Sequence, residues 1–195
     1  MPASASGVAT AGRKKGHVAS RLTTADLIVL SLLSERPMHG YELVKEYERQ
    51  EVADWASVSR PHVYYALKKL AKLQLIAADA KPAGGRPVAV FAVTAEGGAR
   101  LADALADDRW ARQRPPSPFT TWLGLSIHAR AGDAKRVLAS RRGFLAAEIA
   151  KERRTLAAIA ADSGDRVAIA AAMVVLAIAQ FEVELAWLES FERLL

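Results

Sequence analysis

A mainly α-helical chain, with a three-helix head, a two-stranded hairpin and an all-helical rear, is predicted by three features of the sequence. The first is the stretch Ser59 to Leu73, where Val63, Ala66, Leu67, Leu70 and Leu73 fall on one arc at about 100° per residue. That arc requires burial, and the opposite arc carries Arg60, Tyr64, Tyr65, Lys68, Lys69 and Lys72, a basic face with aromatic rings among the charges. The second is a change of period: Ile76 to Lys81 and Val88 to Val93 are short strand-like runs, split by the turn-forming Pro82-Ala83-Gly84-Gly85-Arg86-Pro87. The third is the alanine-rich helical pattern after residue 118. A basic helix followed by a hairpin predicts a winged helix-turn-helix of three helices plus a wing, and the remainder an all-α C-terminal domain.

In chain order, Met1 to Ser20 is rich in Ala, Gly and Ser, contains Arg13, Lys14 and Lys15, and lacks the apolar segment of a secretory signal. It reads as a disordered basic tail over residues 1–21, or as an arm that touches phosphates or the minor groove. Thr23 is placed to cap a first helix with Asp26 in its opening turn. Leu27, Leu30 and Leu33, widened by Ile28, Val29 and Leu32, make that helix nearly all core. Pro37 ends it, because the residue before proline is pushed out of the helical region. His39-Gly40-Tyr41-Glu42-Leu43 opens a second helix with Leu43, Val44 and Tyr47 inward and its acids outward. A short link, Trp55 to Val58, leads into the third helix, which Ser59 can cap and whose first turn tolerates Pro61. Thr94 to Gln113 reads as a fourth helix with Ala99, Leu101, Ala102, Leu105 and Trp110 on its apolar side, its first turn weakened by Gly97 and Gly98.

Arg114-Pro115-Pro116-Ser117-Pro118 cannot continue a helix and marks a linker. The expected division is a winged-helix domain over 22–113 and a helical domain over 119–195. In the latter, Phe119 to Ala129 forms a short helix, Gly132 begins a long one running to about Ala161, and Asp162-Ser163-Gly164-Asp165 turns into a last helix, Arg166 to Leu195. The run Val167 to Ala179 is apolar all round, which suits either an internal three-helix bundle or a dimer interface. It has 13 residues, short of the roughly 20 that span a bilayer. A soluble, cytoplasmic protein is expected.

Lys and Arg number 27 against 21 Asp and Glu, a net charge of +6 that favours polyanionic partners. The charge is also segregated. From Trp55 to Val93, six cations (Arg60, Lys68, Lys69, Lys72, Lys81, Arg86) face one acid, Asp79; from Pro37 to Asp54, five acids face Lys45 and Arg49. A generic soluble surface has no need of that arrangement. The absence of cysteine removes disulfides, Cys-based zinc sites and thiol catalysis together. His17, His39, His62 and His128 are scattered, and neither a phosphate-loop signature nor Gly-x-Ser-x-Gly occurs. No metal, cofactor or catalytic residue is expected, and the chain is not read as an enzyme. His39, beside a helix-entry glycine, is a capping or packing residue.

Several short motifs coincide in order: Leu30-x-x-Leu33, then Pro37-Met38-His39-Gly40-Tyr41-Glu42-Leu43, then Val63-Tyr64-x-Ala66-Leu67-x-x-Leu70, then Gly85-Arg86-Pro87, then Thr94-x-Glu96-Gly97. Over about residues 22 to 112 the chain resembles the PadR family of bacterial transcriptional regulators. The resemblance implies a DNA-binding winged helix and dimerisation through the C-terminal helices. Three departures stand out. The segment after Gly85-Arg86-Pro87 is apolar (Val88, Ala89, Phe91) where the family is basic, Gln74 replaces a glycine at the end of the third helix, and the tail before residue 21 is long.

The expected function is a homodimeric repressor that binds a palindromic operator in double-stranded DNA and responds to a small aromatic or apolar effector. The alternative is a winged-helix protein-interaction module that does not bind DNA. Residues at the start of a recognition helix usually reach base edges and those further along meet phosphates. Arg60 and His62 are therefore assigned to bases, Tyr41 and Tyr64 to phosphate contacts through their hydroxyls, and Lys68 and Lys69 to phosphates, with Ser59 at the helix start. Lys81 and Arg86 are the wing's phosphate or minor-groove contacts. Trp110, Phe119, Trp122, Phe144 and Trp187 form the expected effector site, although the same rings also suit a core.

Overall fold

The computed structural model describes residues 21–83, 86–113, 117–160 and 165–192, and the side chains of residues 80–88 are outside that description. The expected tail, the Arg114–Pro116 part of the linker, Gly84 and Gly85 of the hairpin, and the Asp162–Gly164 turn all lie outside the described residues. Two compact units divide the chain, Met1–Gln113 and Arg114–Leu195.

The first unit is a winged helix. Helix α1 (Thr24–Glu35) starts on a capping box: Thr23 Oγ1 accepts from the Asp26 N–H at 3.3 Å, and the Asp26 carboxylate accepts from the Thr23 N–H at 2.7 Å. Its apolar residues, Leu27 to Leu30 with Leu32 and Leu33, are buried. After Pro37 comes the two-residue strand β1 (Met38–His39), an element too short to register in sequence periodicity, which pairs with the later strand β3 (Arg86–Val93). Helix α2 (Gly40–Arg49) buries Leu43, Val44 and Tyr47, and the Tyr47 hydroxyl donates to the Val58 carbonyl. The expected Trp55 to Val58 link is in part a one-turn helix, α3 (Val52–Ala56), bracketed by Glu51 and Ser57 in the left-handed region.

Helix α4 (Arg60–Lys72) follows, with Val63, Ala66, Leu67 and Leu70 buried. Leu73, assigned to that buried arc from spacing, is 41% exposed. It is the C-cap, where the chain leaves the helix before the apolar arc completes another turn. Leu75 N–H donates to the Leu70 carbonyl and Gln74 N–H to that of Ala71, both at 3.0 Å. This pair of bonds is the Schellman termination, with Leu70 and Leu75 both buried beneath it. Gln74 occupies the left-handed position at φ 58°, where glycine carries no Cβ penalty.

Strands β2 (Ile76–Ala83) and β3 (Arg86–Val93) pair antiparallel from Ile76 opposite Val93 to Ala83 opposite Arg86, and the sheet order is β1-β3-β2. The wing hairpin is thus a three-stranded sheet once β1 is counted. Helix α5 (Ala95–Leu105) is shorter than the expected Thr94 to Gln113, because a separate 3-10 turn follows at Asp108–Ala111. Thr94 caps it, accepting from Gly97 N–H at 3.0 Å, while its own N–H and hydroxyl reach the Leu75 carbonyl at 3.0 Å. A Cβ on Gly97 would lie 2.0 Å from that carbonyl oxygen. The glycine read as a weakness of the first turn is what allows α5 to approach the end of α4.

In the second unit, α6 (Pro118–Leu125) takes a helix-initiating proline and is followed by a 3-10 turn, then by α7 (Ala131–Ile159) and α8 (Asp165–Glu192). Its buried core is Leu138, Leu145, Ile149 and Leu188, with Phe119, Trp122, Phe181, Leu185 and Phe191 packed against the leucines. Arg141 makes a bidentate pair with Glu184 at 2.8 Å and Arg153 reaches Glu182 at 2.7 Å, tying α7 to α8. The other side of α8 exposes Ile169, Val175, Leu176 and Val183. By length and composition alone, Arg166–Phe191 could cross a membrane. The 13-residue run judged too short is only its start, since the helix continues through Phe181, Val183 and Leu185. The ion pairs halfway along it place Glu182 and Glu184 toward α7, as in a polar-edged helix pair.

Candidate nucleic-acid interface

Packing of Val63, Ala66, Leu67 and Leu70 against α1 and α2 fixes which side of α4 faces out. Pro61, Tyr65, Lys68 and Lys72 lie along the middle of that side, with Tyr64 and Arg60 on one flank, and all are exposed. Arg60, Pro61, Tyr64, Tyr65 and Lys68 together line a shallow open depression. It offers two cations and two rings to a polyanionic surface, the combination expected of a helix that enters a groove.

The helix start is organised by a histidine. Ser59 Oγ lies 3.0 Å from His62 Nδ1, and the Ser59 N–H points to the same nitrogen at 3.4 Å. His62 thus closes the reciprocal half of a capping box where Glu or Gln usually stands. The sequence marks Ser59 as a cap and His62 as a base contact without pairing them; the His62 Nδ1 and the Ser59 hydroxyl are engaged with each other in the first turn.

Lys69 is a correction. Its ammonium pairs with the Asp26 carboxylate of α1, which is 1% exposed and also holds the Thr23 N–H. The phosphate role given to Lys69 on spacing does not fit. Its position lies at the border of the exposed arc, and the long side chain turns back to a neighbouring helix that periodicity within α4 cannot see. A half-buried lysine neutralising a buried carboxylate ties α4 to α1 and leaves Lys68 and Lys72 as the exposed lysines of the helix.

Beside this face, Tyr41 is exposed in the first turn of α2, with the Lys45 ammonium 4.8 Å from its ring centre. The acids that gave this helix its negative character are largely compensated. Arg36 hydrogen-bonds Glu42 and holds its carboxyl below the usual range against a small opposing desolvation, with help from the His39 N–H. Arg49 does the same for Glu46, and Glu48 lies 3.4 Å from Arg60. The Arg60–Glu48 pair is exposed on both sides, so it is weak and readily exchanged for a phosphate. The side chains of Lys81 and Arg86 lie outside the described residues.

The five aromatics of the expected effector site do not form one cluster within either unit. Trp110 belongs to the first unit, where its indole N–H donates to the Ala104 carbonyl at 2.8 Å and it lines an apolar depression with Leu27, Leu32, Trp55, Leu101 and Leu105. Phe119 and Trp122 stack at 5.5 Å and pack on the second core. Trp187 stacks on Phe191 at 5.0 Å, and Phe144 lies beneath Arg141 at 5.1 Å. Phe119 and Trp122 are thus part of the packed core, whereas Phe144 and Trp187 remain exposed. Two exposed residues of the outward side of α4, Tyr65 and Lys72, were not in the site assignment, and Tyr65 lines the depression there. Tyr65 stands four residues after Pro61 and three before Lys68, on the same exposed side.

Residues 29–103 match the model of the Transcriptional regulator PadR-like family. Solved structures resemble a larger part of the chain. Bacillus subtilis PadR in complex with operator DNA superposes with a TM-score of 0.70 at 17% identity, over 87% of this chain and 97% of that one. Bacillus subtilis PadR in complex with p-coumaric acid gives 0.68 at 16% identity, over 87% and 96%. A PadR-like transcriptional regulator from Bacillus cereus gives 0.64 at 15%, over 88% and 95%. At such identities the likeness is one of fold. No curated protein matches the chain.

Proposed function

We propose, on the premise that this chain carries the PadR-like transcriptional regulator domain at residues 29–103, that it is a homodimeric DNA-binding repressor. The observation that carries the reading is the outward side of α4, where Arg60, Lys68 and Lys72 flank Tyr64 and Tyr65 on a helix whose opposite side is locked into the core. Lys68 and Lys72 meet phosphates, Arg60 exchanges Glu48 for the duplex, and Tyr41 and Tyr64 offer hydroxyls to the backbone. Lys81 and Arg86 extend the contact along the wing. A protein-interaction module would not need to keep this face basic.

Dimerisation runs through α8, whose Ile169, Val175, Leu176 and Val183 are exposed in a single chain. An apolar strip of this kind, placed on a two-fold axis, is self-complementary and demands a roughly palindromic operator. Two recognition helices held together add their contacts, since the second binding event becomes intramolecular. A structurally similar regulator is described with operator DNA and with p-coumaric acid, which supports a small aromatic effector here too. The site of action would be the cytoplasm.

The test is selection from a random duplex library with the purified protein, followed by titration at several salt concentrations and sedimentation. The expected result is a two-fold-symmetric sequence with half-site centres about one helical turn or a multiple apart, bound by a dimer with a steep salt dependence. A monomer at micromolar concentration would sink the dimer. Absence of both sequence enrichment and salt-dependent binding would return the fold to the interaction-module reading.

A further inference from the structure

Tyr65 is 76% exposed, a large ring left in water at the centre of the outward side of α4. It contributes little to the fold, unlike Tyr47, which is buried with its hydroxyl on the Val58 carbonyl. Around it the surface is built in a definite way. Pro61 one turn earlier and Tyr64 beside it complete an apolar floor, and Arg60 and Lys68 stand at its edges. The cations suit phosphates on either side. The floor does not, because a phosphate desolvated over two rings and a proline ring would lose hydration without an equivalent partner.

We propose that Tyr65 is a specificity-determining residue that reads a thymine, packing its ring against the C5-methyl group in the major groove. The inference rests on the DNA-binding reading above. The thymine methyl is the one apolar group that base pairs present in the major groove. Tyr65 lies in the second turn of α4, within the N-terminal part of the helix that reaches base edges in helix-turn-helix docking. Each half-site should therefore carry a thymine under Tyr65, in addition to whatever Arg60 reads.

The experiment replaces each thymine of the selected sequence in turn by uracil, which removes the methyl and nothing else. Wild-type protein is expected to lose about fourfold in affinity at one position per half-site, the equivalent of one buried methyl group. Tyr65→Phe keeps the ring and should show the same loss. Tyr65→Ala, at a position too exposed to threaten folding, should bind the thymine sequence more weakly and be indifferent to the uracil. Wild type insensitive to every uracil, or Tyr65→Ala as sensitive as wild type, overturns the assignment while leaving DNA binding intact. Failure of wild type to select any sequence overturns the DNA reading itself, and this inference with it.

Discussion

Helices α1 and α8 are both apolar nearly all round, yet α1 disappears into its own unit and α8 does not. Helix α1 is enclosed by α2, α4, α5 and the sheet, and its leucines reach zero exposure at Leu30. Helix α8 has its main contact with α7 and leaves Ile169 at 64% and Val183 at 71% exposed. The difference is one of coverage and not of composition. A run of apolar residues states that a surface will leave water; it does not state which chain will cover it. The first unit covers its own apolar helix, whereas the second leaves Ile169, Val175, Leu176 and Val183 of α8 exposed, the surface that the proposed dimer would cover.

The comparison breaks most sharply at α1. Leu30→Ala should cost about 2–5 kcal/mol of folding stability, the usual result of a cavity in a closed core, and denaturant titration should find that loss at any protein concentration. Lys69→Met comes next. It strands a carboxylate in the core, and breaking one side of a buried pair costs about 3 kcal/mol or somewhat less where the cation is partly exposed. Its effect on DNA should be the reverse of that of Lys68→Ala. The latter should leave melting unchanged and lower the salt slope by about 1, while Lys69→Met should lower the melting temperature and leave the slope of the folded protein intact. On α8, Ile169→Asp together with Val183→Asp should produce a folded monomer by sedimentation. The double variant should lose the concentration dependence of melting, worth about 2.7 kcal/mol when a partner is present at a hundred times its Kd. The smallest effect is a gain: Gln74→Gly removes a side chain from a left-handed position and should stabilise the first unit by about 1 kcal/mol, measured by the same titration.

Much of the fold was legible because its elements are long enough to express a period. The buried arc of α4, the core of α1 and the hairpin all follow from spacing. What spacing missed is short or depends on a partner: β1 has two residues and exists through its pairing with Phe91 and Val90, and α3 is a single turn. Lys69 and Leu73 show the same limit at the site. Each sits at the border of an arc, where its fate is decided by Asp26 on another helix in one case and by the Schellman turn in the other. Tyr65 was visible on the exposed arc, yet a ring among cations reads equally well as solvated surface until the neighbouring depression is seen.

The Leu75 carbonyl has a mechanical consequence. It accepts the N–H and hydroxyl of Thr94, and Gly97 is pressed against it so closely that no side chain fits between. The end of α4, the start of β2 and the start of α5 therefore meet at one carbonyl. A side chain at position 97 would have to push the start of α5 away from the Leu75 carbonyl, and with it from the end of α4 and the root of β2.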